Sequence, residues 1–166
     1  MKNTLKINKI IKPFNESIHV DGDKSISIRW ALLASQAIGT SRAYKLLKSE
    51  DVLSAIKSLK KLGVKIKSKK KYHEINGNGL DSYIYKKNLT INAGNSGTLG
   101  RLILALLIHS PKKIKLIGDK SLSKRDFSRV IKPLKKFGAN FYPNNKTTLP
   151  ISIKCKRSSL VCSFKT

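Results

Sequence analysis

The sequence has little of what marks a secreted, metal-binding or membrane protein. Its 166 residues include two cysteines, Cys155 and Cys162, which have no His or Cys neighbours at metal-ligand spacing and form no disulfide framework. A reducing, cytoplasmic location fits this usage. The longest apolar stretch, residues 99–108, is too short to span a bilayer and contains Arg101. We therefore expect neither membrane association nor a bound metal.

Carboxylates and arginines are also scarce, whereas lysine is abundant. Nine acidic residues stand against 35 cationic ones, of which six are arginine, and the net charge is +26. Such a charge attracts polyanions whatever the fold. A site adapted to phosphates or bases would be expected to use more arginine, because the planar guanidinium group forms paired hydrogen bonds to such groups. Much of the excess lysine therefore indicates a solvent-exposed surface. A real preference for anions, either phosphorylated small molecules or nucleic acid, stays open, although aromatic RNA-binding signatures are absent.

Hydrophobic periodicity predicts alternating helices and strands, and hence the α/β class. Each helix is closed by a glycine or opened by a capping residue, and each strand is short. The turn sequence Asn-Gly-Asn-Gly at 76–79 closes the last predicted strand of the first half. We expect helices over 25–38, 50–62, 96–109 and 127–137, strands over 43–47, 64–68, 72–75, 89–92, 114–117, 139–142 and 151–153, and Tyr83 and Tyr85 on one face of a strand.

The two halves of the chain repeat one another. Leu-Lys-Lys-Leu-Gly at 59–63 recurs 75 positions later as Leu-Lys-Lys-Phe-Gly, and Arg29 lies 72 positions before Arg101. The stretch 103–108 is apolar on all sides, so two copies are not expected to suffice to bury it. We divide the chain into an N-terminal strand segment (1–20), two βαβαββ units (21–88 and 89–154) and an atypical tail (155–166).

Three polar clusters occupy corresponding places in this repeat. Residues 22–29 (Gly-Asp-Lys-Ser-Ile-Ser-Ile-Arg) open a helix, and residues 92–98 (Asn-Ala-Gly-Asn-Ser-Gly-Thr) open its counterpart. Residues 118–125 (Gly-Asp-Lys-Ser-Leu-Ser-Lys-Arg) lie between a strand and a helix. Helix N-termini, exposed amides, Lys and Arg suit a phosphate or carboxylate. Taken singly, each cluster is equally compatible with a capped helix, a small-residue turn or a solvated loop.

These clusters, together with Ser-Glu-Asp-Val at 49–52, resemble the successive signatures of the 5-enolpyruvylshikimate-3-phosphate (EPSP) synthase family in order and spacing. The resemblance covers residues from about Lys6 to Lys154. Ile28 departs from it, because the family usually has His there. The resemblance implies shikimate 3-phosphate binding by Lys24, Ser25 and Arg29, phosphoenolpyruvate binding by Lys24, Gly97 and Arg125, and support of that loop by Asn95, Thr98 and Arg101.

The resemblance also implies a fold and a reaction. The fold is an inside-out α/β barrel of two domains, each of three βαβαββ units, without a cofactor and monomeric at full length. The reaction transfers the enolpyruvyl group of phosphoenolpyruvate to the 5-hydroxyl of shikimate 3-phosphate and releases phosphate, a step towards chorismate and the aromatic amino acids. About two of six units are present here and the acid–base residues are expected in the missing part, so the isolated chain is expected to bind without catalysing.

Two alternatives compete with this interpretation. The related transferase that acts on UDP-N-acetylglucosamine carries a different motif where Asp23, Lys24 and Ser25 stand. A small basic module that binds nucleic acid or anionic surfaces without catalysis is the alternative from another functional class.

Overall fold

The computed structural model describes residues 6, 8, 10, 12, 13 and 15–155, which form four α-helices and seven strands. The helices are α1 (Lys24–Gln36), α2 (Glu50–Lys61), α3 (Gly97–Leu106) and α4 (Ser128–Lys136). The strands are β1 (Ile38–Tyr44), β2 (Lys65–Ser68), β3 (Tyr72–Asn78), β4 (Leu89–Asn92), β5 (Ile114–Ile117), β6 (Ala139–Tyr142) and β7 (Ile151–Cys155). The fold is therefore of the predicted α/β class.

Local capping chemistry fixes where the first and third helices begin. The Asp23 carboxylate accepts a hydrogen bond of 2.7 Å from the Ile26 amide, and the Ser96 hydroxyl accepts one of 3.3 Å from the Leu99 amide. Both bonds satisfy amides that the first helical turn leaves without an intrahelical partner. The two anion-type clusters predicted at helix starts are thus real helix starts.

The strands form two separate sheets with a shared plan. In the first sheet the order is β1-β3-β2, with both pairs antiparallel. In the second sheet the order is β4-β5-β7-β6, with β4 and β5 parallel and the other pairs antiparallel. Since β1, α2, β2 and β3 follow one another as β5, α4, β6 and β7 do, the first sheet is the second sheet without a counterpart of β4.

The helices pack between the two sheets and share one hydrophobic core. It includes Ile75 of the first sheet, Ile91 of the second, and Ala31 and Leu59 of the intervening helices, all fully buried. The prediction that two units do not suffice to bury the apolar stretch 103–108 holds only in part. Ile103, Leu104 and Leu107 have no exposed surface, because α1, α2 and α4 all contact α3, whereas the opposite side of that helix, at Leu102 and Ala105, is exposed. The apolar side chains of Ile26 and Leu33 on α1 are more exposed, at 66% and 68%.

Several predicted boundaries differ from the structure. The strand placed at 43–47 is β1, which begins at Ile38, because the first helix already ends at Gln36. The turn placed at 76–79 lies partly within β3, where Gly77 fits against the carbonyl oxygens of α1's C-terminal end. No strand contains Tyr83 or Tyr85, which lie in an irregular connection between the units.

The two ends of the chain also differ from expectation where they are described. Among the described residues up to Asp23 no strand is present, although residues 1–20 were predicted to supply one. At the other end β7 extends through Cys155, the first residue of the predicted tail, and the Cys155 amide donates a 2.9 Å hydrogen bond to the Ser110 oxygen. The rest of that tail lies outside the described residues.

Irregular segments are held to the units by specific contacts. The Tyr83 hydroxyl lies 2.8 Å from that of Ser35 on α1, and burial raises the pKa of Tyr83. The Ser27 hydroxyl accepts a 3.2 Å hydrogen bond from the Leu47 amide, and Gly22 lies so close to Lys45 that an added Cβ would be 2.4 Å from the Lys45 carbonyl oxygen. The entry to α1 therefore rests on the segment that follows β1.

No helix in the described ranges is both long enough and apolar enough to cross a bilayer.

Candidate functional site

A polar cleft of about 510 Å³ opens where the starts of α1, α2 and α3 meet the loop before α4. Residues of both units line this cleft. It forms because the repeat places equivalent helix starts at the same end of the fold. Its walls carry more cations than carboxylates. The lining residues are Lys24, Glu50, Asp51, Asn95, Gly97, Thr98, Arg101 and Arg125.

The first unit supplies one cation and two carboxylates. Lys24 is the first residue of α1, and its Nζ lies 3.1 Å from a carboxylate oxygen of Asp51 in the first turn of α2. The Lys24 side chain is 51% exposed, whereas that of Asp51 is 18% exposed. The ion pair therefore lies at the rim of the cleft, where solvent and any anion in the cleft can reach the lysine.

The second unit supplies two guanidinium groups that converge on Gly97. A Cβ added to Gly97 would lie 2.8 Å from Nη1 of Arg101 and 3.2 Å from Nη1 of Arg125. The side chain of any other residue would displace one or both groups. Glycine at this position is therefore what allows two like charges to lie side by side against the start of α3.

Neither guanidinium meets a carboxylate within 4.0 Å in the described part of the chain. Arg125 donates to the Asn95 side-chain oxygen at 3.1 Å, and Arg101 donates to the backbone oxygens of Gly97 at 3.4 Å and Asp126 at 3.1 Å. Arg101 also lies over the Phe127 ring, with its Cζ 5.0 Å from the centroid. Two neighbouring cations with neutral partners leave a local excess of positive charge, which an anion would neutralise.

The loops that carry these groups are tied together. The Asp119 amide donates to the Gly94 oxygen at 2.8 Å, and the Ala93 amide donates to the Ile117 oxygen at 2.9 Å. The Asp119 carboxylate in turn accepts a 2.6 Å hydrogen bond from the Leu122 amide, which fixes the turn leading to Arg125. The segments that carry the arginine pair are thus hydrogen-bonded to one another.

This arrangement of helix starts, glycine and paired arginines coincides with a family match over nearly the whole chain. A family model described as EPSP synthase (3-phosphoshikimate 1-carboxyvinyltransferase) matches residues 8–164. The chain belongs to the EPSP synthase family. The sequence resemblance and the fold class expected from it are confirmed.

Curated relatives agree with this assignment to the EPSP synthase family. The 3-phosphoshikimate 1-carboxyvinyltransferases of Streptococcus pyogenes serotype M49 (strain NZ131) and serotype M4 (strain MGAS10750) are each 44% identical over 134 residues. The match covers 81% of this chain but 31% of either relative. The chain therefore spans about a third of the length of the curated relatives it matches.

Solved structures show the same fold. One EPSP synthase structure from Acinetobacter baumannii superposes with a TM-score of 0.80 and 32% identity, covering 89% of this chain and 34% of that one. A second, from the same organism, gives a TM-score of 0.75 and 34% identity over 82% of this chain and 31% of that one. The two units described above thus correspond to a part of the EPSP synthase fold.

The cleft brings together six of the eight residues that the EPSP synthase resemblance singled out. Lys24, Gly97 and Arg125, expected to bind phosphoenolpyruvate, all line it. Ser25 and Arg29, expected to bind shikimate 3-phosphate with Lys24, lie on α1 outside this lining, and Arg29 is exposed. The three supporting residues, Asn95, Thr98 and Arg101, line the cleft beside the arginine pair.

Sequence reasoning missed the two carboxylates of the cleft. Glu50 and Asp51 belong to the Ser-Glu-Asp-Val stretch that was recognised as a family signature, but they received no role in the site. Their position in the first turn of α2 could have indicated a role in the site, because the other clusters also lie at the start of a helix or between a strand and a helix. Ile28, the departure from the family pattern, is fully buried in the core and does not reach the cleft.

Proposed function

We propose that this chain supplies the anion-binding part of a 3-phosphoshikimate 1-carboxyvinyltransferase, which transfers the enolpyruvyl group of phosphoenolpyruvate to shikimate 3-phosphate. The observation that carries the proposal is the pair of guanidinium groups converging on Gly97 without a carboxylate partner among the described residues. Phosphoenolpyruvate, with its phosphate and carboxylate, has the charge that such a pair would neutralise. Lys24, which also lines the cleft, provides a third cation.

The physical role of these groups is neutralisation and positioning. Both substrates are multiply anionic, so bringing them together in water is opposed by charge repulsion that fixed cations remove. Arg101 and Arg125 hold one anion against the free amides of the α3 start. On α1, Ser25 and the exposed Arg29 lie four residues apart on one face, where they would meet the phosphate of shikimate 3-phosphate.

Catalysis requires more than this chain contains in the described residues. Protonating the methylene carbon of phosphoenolpyruvate and deprotonating the 5-hydroxyl both need acid–base groups placed on the reacting atoms. Glu50 and Asp51 are the carboxylates of the cleft, and Asp51 is paired with Lys24. We expect substrate binding by the isolated chain and no transferase activity, and assays of phosphate release with both substrates will check this.

Calorimetric titration tests the binding proposal directly. Arg125→Ala should weaken phosphoenolpyruvate binding, and Arg29→Ala should weaken shikimate 3-phosphate binding, each by about tenfold or more because a charge-assisted bond is lost. The matched control is Lys70→Ala. Lys70 lines a separate depression beside Lys69 and Lys71, so its removal lowers the net charge equally but leaves the cleft intact.

The same variants distinguish the transferase proposal from the alternative, in which the chain is a basic module that binds nucleic acid. Such a module would lose affinity for duplex DNA steeply with salt and would respond to Lys70→Ala as much as to Arg29→Ala. Equal losses in the two variants, or no binding of either small substrate, would contradict the transferase proposal.

A further inference from the structure

The aromatic ring of Phe127 lies against the guanidinium group of Arg101. The Cζ atom of Arg101 is 5.0 Å from the ring centroid, and Phe127 is fully buried. Arg101 is half-buried and lines the cleft. The negative face of an aromatic ring attracts a cation placed over it. Phe127 therefore supports Arg101 from the core side of the cleft.

The backbone and α3 fix the position of this ring. The Phe127 amide donates to the Thr147 oxygen at 2.7 Å, and the Phe127 oxygen accepts from the Ile131 amide at 2.9 Å. On the side of α3, a Cβ added to Gly100 would lie 3.2 Å from Cε1 of the ring. Glycine at position 100 therefore leaves room for the ring to lie close against α3, next to Arg101.

The carboxylate that precedes Phe127 in sequence is bonded elsewhere. Asp126 accepts hydrogen bonds from the Ser128 amide at 3.1 Å and from the Ser128 hydroxyl. Hydrogen bonds from Ser128 and Thr147 hold the pKa of Asp126 below its ordinary value, so the group is ionised at neutral pH. From Asp126, Arg101 binds the backbone oxygen alone, at 3.1 Å, and the two side chains form no ion pair within the described residues. The charge of Arg101 thus stays available although a carboxylate is near in sequence.

Arg42 in the first unit shows the opposite arrangement. Its Cζ lies 5.4 Å from the centroid of the Tyr72 ring, but its Nε also donates to the Glu74 carboxylate at 2.9 Å. The hydrogen bond to Glu74 raises the pKa of Arg42, and the ion pair offers no net charge to another anion. A ring holds a guanidinium group without removing its charge, whereas a carboxylate holds it and competes with a ligand.

We infer that Phe127 is a positioning residue of the cleft, whose ring orients the Arg101 guanidinium group for an anion without neutralising it. That this anion is phosphoenolpyruvate rests on the proposed function. The segment 125–127 carries Arg125 and supports Arg101 through the Asp126 oxygen and the Phe127 ring. Loss of the ring should therefore misplace Arg101 relative to Arg125 and weaken anion binding.

Nuclear magnetic resonance of the full chain labelled with ¹⁵N tests this positioning without a ligand. The order parameter of the Arg101 Nε–H bond should approach that of a rigid backbone, about 0.85, and should fall below about 0.6 in Phe127→Leu. Arg42, which lies over a different ring, is the internal control and should not change. An Arg101 order parameter that Phe127→Leu leaves unaltered would overturn the inference.

A ring of nearly the same shape but different charge distribution separates positioning from packing. Replacing Phe127 with 3,4,5-trifluorophenylalanine keeps an aromatic ring in the core and removes the negative potential of its face. The Arg101 order parameter should fall, and phosphoenolpyruvate should bind about two- to fivefold more weakly in calorimetry, as expected for loss of a partly exposed cation–π contact. The matched control is the same replacement at Phe141, a buried ring with no cation over it in the described part of the chain.

The two readouts separate this inference from the proposed function. Failure of the wild-type chain to bind phosphoenolpyruvate would contradict the proposed function, whereas the Arg101 order parameters would still decide the role of Phe127. Equal effects of trifluorophenylalanine at positions 127 and 141 would show that the Phe127 ring acts through packing alone, and would overturn the inference.

Discussion

The two units have one plan and different degrees of completion. The second unit has four strands, an α3 with one fully buried side and the arginine pair of the cleft. The first has three described strands and an α1 whose exposed apolar side chains, Ile26 and Leu33, are less covered than any large apolar one on α3. Both are built from the same kinds of residue at the same spacing. The difference shows that apolar content does not decide whether a helix is covered, because that depends on which neighbours the topology provides.

The largest expected effect contrasts a leucine of each unit. Leu104→Ala on α3 should lower the free energy of unfolding by about 2–5 kcal/mol, because Leu104 is fully buried and its removal leaves a cavity. Leu33→Ala on α1 should change it by about 0.5 kcal/mol or less, because Leu33 is 68% exposed. Denaturant unfolding measures both. Similar losses in the two variants would mean that α1 is covered in solution.

The next effect contrasts the two helix starts that open the cleft. Gly97→Ala should weaken phosphoenolpyruvate binding by about 10- to 100-fold, since the new Cβ displaces the Arg101 and Arg125 groups and charge-assisted bonds are lost. Ser25→Ala, at the corresponding start of α1, should leave phosphoenolpyruvate binding nearly unchanged. Calorimetry at fixed ionic strength compares them, with Leu102→Ala on the outer side of α3 as control. Normal phosphoenolpyruvate binding by Gly97→Ala would show that the arginine pair is not part of the binding site.

A smaller effect concerns the ion pair between Lys24 and Asp51. Asp51→Asn should tighten phosphoenolpyruvate binding by about two- to fivefold, because Lys24 loses its competing carboxylate and the pair is a partly exposed one. The gain should shrink with added salt. Glu50→Gln, which removes a cleft carboxylate that forms no described ion pair, is the matched control. Weaker binding in Asp51→Asn would show that Asp51 positions Lys24 rather than competing for it.

The smallest effect is a pH dependence confined to the first unit. Burial, followed by the nearby cations Lys48 and Lys60, lowers the pKa of His73 on β3. Because the unfolded chain then binds a proton that the folded chain does not, stability should be full above about pH 6.5 and fall as pH drops from there towards the lowered pKa. Thermal melting across this window measures it. His73→Gln should flatten the profile, and an unchanged profile would contradict the assignment.

Sequence reasoning succeeded where local chemistry decides the outcome. The strands at Leu89–Asn92, Ile114–Ile117 and Ala139–Tyr142 were placed with their observed bounds, because each is a short alternating run with clear flanks. Six residues of the cleft were found because they sit at helix and strand ends that carry the family signatures. In the structure the second half of the chain has the order β4-α3-β5-α4-β6-β7.

It failed where the outcome depends on distant packing. Two units were not expected to bury the stretch 103–108, yet Ile103, Leu104 and Leu107 are fully buried, since α1, α2 and α4 converge on α3, which no local pattern reveals. The end of α1 was placed late because Ile38 continues the helical apolar spacing, yet that residue starts β1. The convergence of Arg101 and Arg125 on Gly97 joins segments far apart in sequence, so only their tertiary arrangement shows why that position lacks a side chain.

The contact of Gly22 with Lys45 has a consequence for the position of the cleft lysine. The Lys45 carbonyl directly follows β1 and lies against Gly22, two residues before Lys24, so no side chain fits between the end of β1 and the start of α1. A residue larger than glycine at position 22 would have to push these two segments apart, and the start of α1 would move with Lys24 relative to the rest of the cleft.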